Sequence, residues 1–194
     1  MSLINTSVQP FKATAFQAGE FIDVSEDTFK GQWSAIVFYP ADFTFVCPTE
    51  LEDLADLYDQ FKAIGVEIYG VSCDTHFAHK AWHDTSEAIG KVKYPLIGDP
   101  TGQLPRAFQV MIAEEGISLR GTFLIDRDGV VRHQLVNDLP LGRNADEALR
   151  MADALQFHEE HGEVCPAGWN KGDEGMKADA EGVAKYLGTH AEAL

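Results

Sequence analysis

The residue most able to do covalent chemistry in this chain is Cys47, because of where its sulfur falls. Ala35 to Tyr39 is an apolar run suited to a buried strand, and Leu51, Leu54, Leu57, Tyr58 and Phe61 then recur at helical spacing up to Gly65. Cys47 stands at the entrance of that predicted helix. Pro48 follows it, with the fixed φ and missing N–H that suit a first helical turn. A helix N-terminus stabilises an anion, and the thiolate is the nucleophilic form of cysteine. The position makes Cys47 a candidate nucleophile. The same pattern also fits a small buried hydrophobe beside Phe45 and Val46, and position alone leaves both readings open.

The other reactive types narrow the chemistry. Glu50 takes the fourth position of Cys-Pro-Thr-Glu, so the C-x-x-C of an ordinary thioredoxin-type oxidoreductase is missing. A disulfide at Cys47 would need its second sulfur from elsewhere in the chain or from another chain. Cys73 and Cys165 are the other two cysteines, an odd total of three. In a reducing compartment any disulfide among them would be transient and catalytic, and Cys73, at a strand end, reads as an inert buried thiol. His76, His79 and His83 fall at i, i+3 and i+7, which allows either a metal-binding face or a polar helix face with packed histidines. No H-E-x-x-H pattern completes a metal site there. Arg120 opens an apolar strand, so it needs either an anionic partner or an edge location.

Placing these side chains requires an α/β framework. KATAFQ and EFIDV, parted by Ala18-Gly19, predict a hairpin, and Ser25 to Thr28 a turn or cap. The central strand, its helix and Val66 to Ser72 make a right-handed βαβ unit with parallel pairing. Tyr94 to Ile97 is a further apolar run before the turn-forming Gly98 to Gly102, and a short helix is expected around Leu104 to Val110. Leu119 to Ile125 and Val130 to Val136 flank a hairpin turn at Asp126 to Gly129. Asn144 is a good N-cap for a helix running to His161-Gly162. From Glu163 onward apolar residues are sparse, so this tail should lie on another surface, with Trp169 as its anchor. The division is a domain over 1–162 and a tail over 163–194.

Composition excludes several classes of function. With 31 Asp plus Glu against 15 Lys plus Arg, the formal charge of −16 repels nucleic acid and anionic membrane surfaces. No window approaches a membrane span and the first ten residues lack a leader's pattern, which gives a cytoplasmic expectation. No phosphate-cradling or dinucleotide fingerprint occurs, so any FAD or NAD would belong to a partner.

Two segments together carry a resemblance. Pro40-Ala41-Asp42-Phe43-Thr44-Phe45-Val46-Cys47-Pro48-Thr49-Glu50 and Gly162-Glu163-Val164-Cys165-Pro166-Ala167 resemble the two active-site motifs of the typical two-cysteine peroxiredoxins. SLINT, DTHFAHKAWH, IGDPTG and RGTFLID extend the likeness over nearly the whole chain.

The resemblance implies a thioredoxin-like peroxiredoxin fold, a central mixed sheet flanked by helices, with the tail packed on a partner subunit. It implies a thiol peroxidase acting on peroxide substrates. Cys47 would attack the peroxide and become a sulfenic acid, and Cys165 of the partner subunit would resolve it as an intersubunit disulfide. By the same resemblance Thr44 orients the thiolate and meets the peroxide, Pro40 shields the site, Arg120 holds the developing charge, and Glu50 hydrogen-bonds to the arginine. No cofactor or metal is bound. Electrons come from a partner disulfide reductase, either a flavoprotein using NADH or thioredoxin, and homodimers associate as five into a decamer. Relatives prone to overoxidation carry Gly-Gly-Leu-Gly and a C-terminal Tyr-Phe, whereas here Glu114 to Ile117 and Tyr186-Leu187 stand instead, so resistance to overoxidation is expected. A metal-binding or holdase-type protein is the alternative from another class.

Overall fold

The computed structural model describes residues 2–190. Its backbone resolves into two compact units, 1–148 and 149–194, each described by itself below; of the tail, 191–194 lie outside the described residues.

The first unit is built on a seven-stranded sheet. β1 (Lys12–Gln17) and β2 (Glu20–Ser25) form the expected hairpin, turning at Ala18 and Gly19. β3 (Trp33–Phe38), β4 (Val66–Ser72) and β5 (Leu96–Gly98) pair in parallel. β8 (Arg120–Ile125) runs antiparallel to β3, and β9 (Val131–Asn137) antiparallel to β8. The spatial order is β2-β1-β5-β4-β3-β8-β9, a mixed sheet as expected. All six residues of β3 and of β8 are buried, which is why Ala35 to Phe38 and Phe123 to Ile125 read as apolar runs. A cluster including Phe11, Phe29, Phe38, Tyr69, Phe108 and Phe123 fills the core on one face. Phe123 meets Phe38 and Phe108 edge-on at 5.7 and 4.8 Å between ring centres.

The helical stretch after Cys47 is two pieces. α1 (Cys47–Asp56) and α2 (Tyr58–Ala63) meet at Leu57, whose ψ of −1° breaks the helical ladder. α3 (His76–Thr85) is capped by Thr75, whose hydroxyl accepts from the Ala78 N–H. α4 (Gln103–Ala107) ends sooner than expected. Gln109 adopts φ 58°, and the Val110 N–H returns to the Pro105 carbonyl at 2.9 Å, a left-handed C-terminal closure normally built on glycine. A small hairpin, β6 (Met111–Ile112) with β7 (Ile117–Ser118), follows where no strand was expected.

α5 (Ala145–His161) begins after Asn144, whose side-chain oxygen accepts from the Glu147 N–H at 3.2 Å. In the second unit Gly162 closes this helix at φ 68°, and Val164 pairs with Met176 in an isolated bridge. Trp169 is buried and packs on Phe157 at 4.9 Å. α6 (Ala180–His190), a helix the composition did not announce, buries none of its residues.

Candidate active site

The strand β3 delivers its chain to Tyr39 and the buried Pro40, after which a loop to Val46 leads into α1. Several buried polar groups hold this loop. The Tyr39 hydroxyl donates to Asp42 Oδ1 at 2.8 Å, His79 Nδ1 lies 2.8 Å from Asp42 Oδ2, and the Asp42 N–H donates to Asp74 at 2.9 Å. Burial, and then the Asp42 carboxylate, push the Tyr39 phenol well above its ordinary value. Phe43 takes φ 55°, a left-handed geometry that costs an ordinary side chain about 1 to 2 kcal/mol. The next residue, Thr44, faces the sulfur.

Cys47 is the first residue of α1, with Pro48 second. Its side chain has no exposed surface, so the buried-residue reading is correct as to burial, but the groups around the sulfur are not apolar. Thr44 Oγ1 stands 2.9 Å from Cys47 Sγ and 2.9 Å from the Ala41 carbonyl. One hydroxyl proton cannot serve both acceptors. If the sulfur is anionic, the proton can turn to it; if the sulfur carries hydrogen, the hydroxyl can accept.

On the other side Arg120 Nη1 lies 3.5 Å from Cys47 Sγ. Arg120 is not at an edge: β8 sits between β3 and β9, and the residue is 4% exposed. It has the anionic partner its setting requires, because Nη1 donates to Glu50 Oε2 at 2.6 Å while Nε donates to the Leu139 carbonyl at 2.7 Å. Burial alone would lower the Arg120 pKa, but the Cys47 sulfur and Glu50 outweigh it and push the value up.

A second arginine was missed by sequence reasoning. Arg143 binds Glu50 Oε1 through both its backbone N–H at 2.9 Å and its Nε at 2.8 Å. Its Nη1 donates to the Gly121 carbonyl at 2.7 Å. Burial on its own would raise the Glu50 carboxyl. The hydrogen bonds and charge of Arg143, with the charge of Arg120 behind them, hold it below the usual carboxylate range. Nothing local to Leu141-Gly142-Arg143-Asn144 announces this contact. The one available signal was Glu50 itself, a carboxylate one turn into a helix that carries buried leucines.

The structure brings Thr44, Cys47, Glu50 and Arg120 together in the first unit, with Pro40 buried at the start of the loop. The three histidines do not share a site. His76 packs edge-on against Phe21, His79 is taken by Asp42, and His83 Nε2 lies 3.3 Å from the Val92 carbonyl. Cys73 is half-buried rather than fully enclosed, and burial followed by the charges of Asp99 and Asp74 pushes its thiol up. In the second unit the Cys165 thiol points to the Ala154 carbonyl at 3.4 Å.

Residues 4–134 match the model of the AhpC/TSA family. The chain belongs to that family. Residues 154–189 match a second model, the C-terminal domain of 1-Cys peroxiredoxin. Alkyl hydroperoxide reductase C of Pseudomonas aeruginosa is 50% identical over 186 residues, spanning 95% of this chain and 100% of the relative. That of Amphibacillus xylanus is 51% identical over 187 residues, with the same shares covered. Among solved structures, a reduced 2-Cys peroxiredoxin from Plasmodium vivax superposes with a TM-score of 0.93 at 41% identity, covering 97% of this chain and 100% of that one. Enterococcus faecalis AhpC superposes at 0.83 with 46% identity, over 86% of this chain and 100% of that one. The protein is therefore a thiol peroxidase with the thioredoxin-like peroxiredoxin fold, as the two motifs implied.

Proposed function

We propose that this peroxiredoxin reduces hydrogen peroxide and organic hydroperoxides through a Cys47 sulfenic acid, resolved by Cys165 of the partner subunit. The observation that carries the reading is the convergence of a hydroxyl and a guanidinium on one buried sulfur, with Glu50 fixing the guanidinium.

The Cys47 thiolate attacks the terminal peroxide oxygen, the O–O bond breaks, and the alkoxide or hydroxide leaves with a proton as alcohol or water. Arg120 meets the negative charge that spreads over the two oxygens, and Thr44 donates to the oxygen under attack. Pro40, buried at the start of the loop, would shield the sulfenic acid from water. Because the sulfur has no exposed surface, peroxide entry needs a small shift of the loop ahead of α1, where Phe43 and Phe45 are 62% and 94% exposed. A Cys165 thiolate then attacks the sulfenic sulfur, the S–S bond forms, and hydroxide departs to be protonated. Disulfide geometry requires Cα atoms within about 7 Å, so the first turn of α1 unwinds for this step.

The disulfide is returned to thiols by a partner dithiol, a flavoprotein reductase drawing on NADH or a thioredoxin. Homodimers, and decamers of five of them, are supported by the edge position of β9, whose Val131 end is bonded to the segment at Asn5 and Thr6, and by the exposed pair Phe21 and Phe77, whose rings meet at 5.2 Å. An odd count of three cysteines, with a disulfide that forms only in turnover, suits a reducing cytoplasm. Among the described residues no helix is long and apolar enough to cross a membrane.

Two variants test the scheme. Cys47→Ser should abolish peroxide consumption. Cys165→Ser should keep one rapid oxidation per chain and lose the covalent dimer on a non-reducing gel. Peroxide turnover surviving Cys47→Ser would refute it.

A further inference from the structure

The segment carrying Cys165 is fastened to one face of a single helix. Cys165 Sγ lies 3.4 Å from the Ala154 carbonyl, Arg150 Nη1 donates to the Trp169 carbonyl at 2.6 Å, and the Trp169 ring packs on Phe157. Positions 150, 154 and 157 stand at i, i+4 and i+7 along α5, so they form one stripe. The turn from Cys165 to Trp169 closes on itself, the Trp169 N–H donating to the Pro166 carbonyl at 3.1 Å. Trp169 Nε1 donates onward to the Asp173 carbonyl at 3.1 Å.

We propose that Arg150 is a positioning residue for the resolving step, holding the Cys165–Trp169 turn on α5 and keeping a positive charge beside the sulfur that must attack. This rests on the reading of Cys165 as the resolving cysteine. Burial pushes the Cys165 thiol up, which disfavours the thiolate, and the Arg150 charge works against that rise. Several other charged groups of these two elements are engaged with partners other than Arg150 and Cys165. Asp153 pairs with Lys171 at 2.7 Å, His158 Nδ1 meets the Glu163 carbonyl at 2.7 Å, and the Asp173 carboxylate accepts from the Asn170 N–H at 2.8 Å. In the step itself the Cys165 proton goes to solvent, its sulfur is oxidised and the Cys47 sulfenic sulfur reduced as the S–S bond forms. The departing hydroxide takes up a proton.

The test uses the full chain with Arg150→Gln and Arg150→Lys. After one equivalent of peroxide, Cys47 oxidation should keep its wild-type rate in both variants. In Arg150→Gln, disulfide formation at neutral pH should slow about three- to tenfold, with its pH profile moved upward by up to about one pH unit. Arg150→Lys should restore the profile. Site-resolved alkylation of Cys165 across pH, read by peptide mass spectrometry in a Cys47→Ser background, should show the same displacement without any peroxide chemistry. A turn that is merely loosened would change rates at every pH without moving the alkylation profile, and that result overturns the proposal. An Arg150→Gln profile that superimposes on the wild type also overturns it. Peptide mapping of the oxidised wild-type chain keeps the two readings apart: without a Cys47–Cys165 disulfide, the resolving role of Cys165 fails first and this inference with it.

Discussion

On the proposed mechanism, a single hydroxyl at Cys47 aims the attacking sulfur. Thr44 Oγ1 is within 2.9 Å of both the sulfur and the Ala41 carbonyl, so Thr44→Val removes the donor while leaving the shape nearly intact. The rate of Cys47 oxidation by peroxide should fall about 10²- to 10³-fold, the usual result of losing one preorganised donor, and Thr44→Ser should recover most of it. Stopped-flow tryptophan fluorescence would follow both. Glu50 offers a pH test. Its carboxyl is held below the usual range in the fold, so the stability it contributes is complete above the ordinary value near 4.5 and is lost as pH falls through the lowered one. Glu50→Gln should therefore melt well below wild type at pH 7, with the gap narrowing as pH drops toward 3; a constant gap would contradict the linkage. Thr44 came only from the resemblance of its motif, whereas Cys47 was legible as a candidate because a thiol at a strand-to-helix junction is unusual chemistry. Arg143 was not, because its partner lies far along the chain and a loop arginine reads as solvated until the fold turns it inward.

Among the elements, the parallel centre and the hairpins could be read from uninterrupted or alternating apolar runs, whose period depends only on local geometry. Terminations were harder. α4 stops at a glutamine in a conformation that usually calls for glycine, and the break at Leu57 has no proline or glycine to mark it. The tight spots are equally silent in the sequence. At Gly98 the end of β5 passes so near the start of α3 that a Cβ would press on backbone atoms of His76 and Thr75. Backbone cannot rotate away as a side chain does. Gly98→Ala should cost about 3 kcal/mol or more, equivalent to a fall of roughly 6 to 12 °C in Tm for a chain of this size. Differential scanning calorimetry would measure it, and a shift under 2 °C would show that the two elements can part more easily than their spacing implies.

For the molecule as a whole, the competition between resolution and further oxidation sets how the enzyme fails. The region from Glu114 to Ile117 is a two-strand hairpin turn with Gly116 at φ 70°, and α6 carries Tyr186-Leu187 without burying either. Neither carries the pattern of the relatives prone to overoxidation. Mass spectrometry after turnover at rising peroxide should find disulfide long before Cys47 sulfinate, and early sulfinate would contradict this. The tail's helix escaped the sequence because its apolar residues are too few to show a buried face. Glu50 finally has a consequence for the returning half of the cycle. On the proposed mechanism, drawing its carboxylate away with the unwound turn would strand the Arg120 and Arg143 guanidiniums in a dry interior, so the oxidised form would be loaded like a drawn bow. Once a reductant cut the proposed disulfide, recoil of that turn would carry Cys47 back into its pocket, and the catalyst would reset itself without further help.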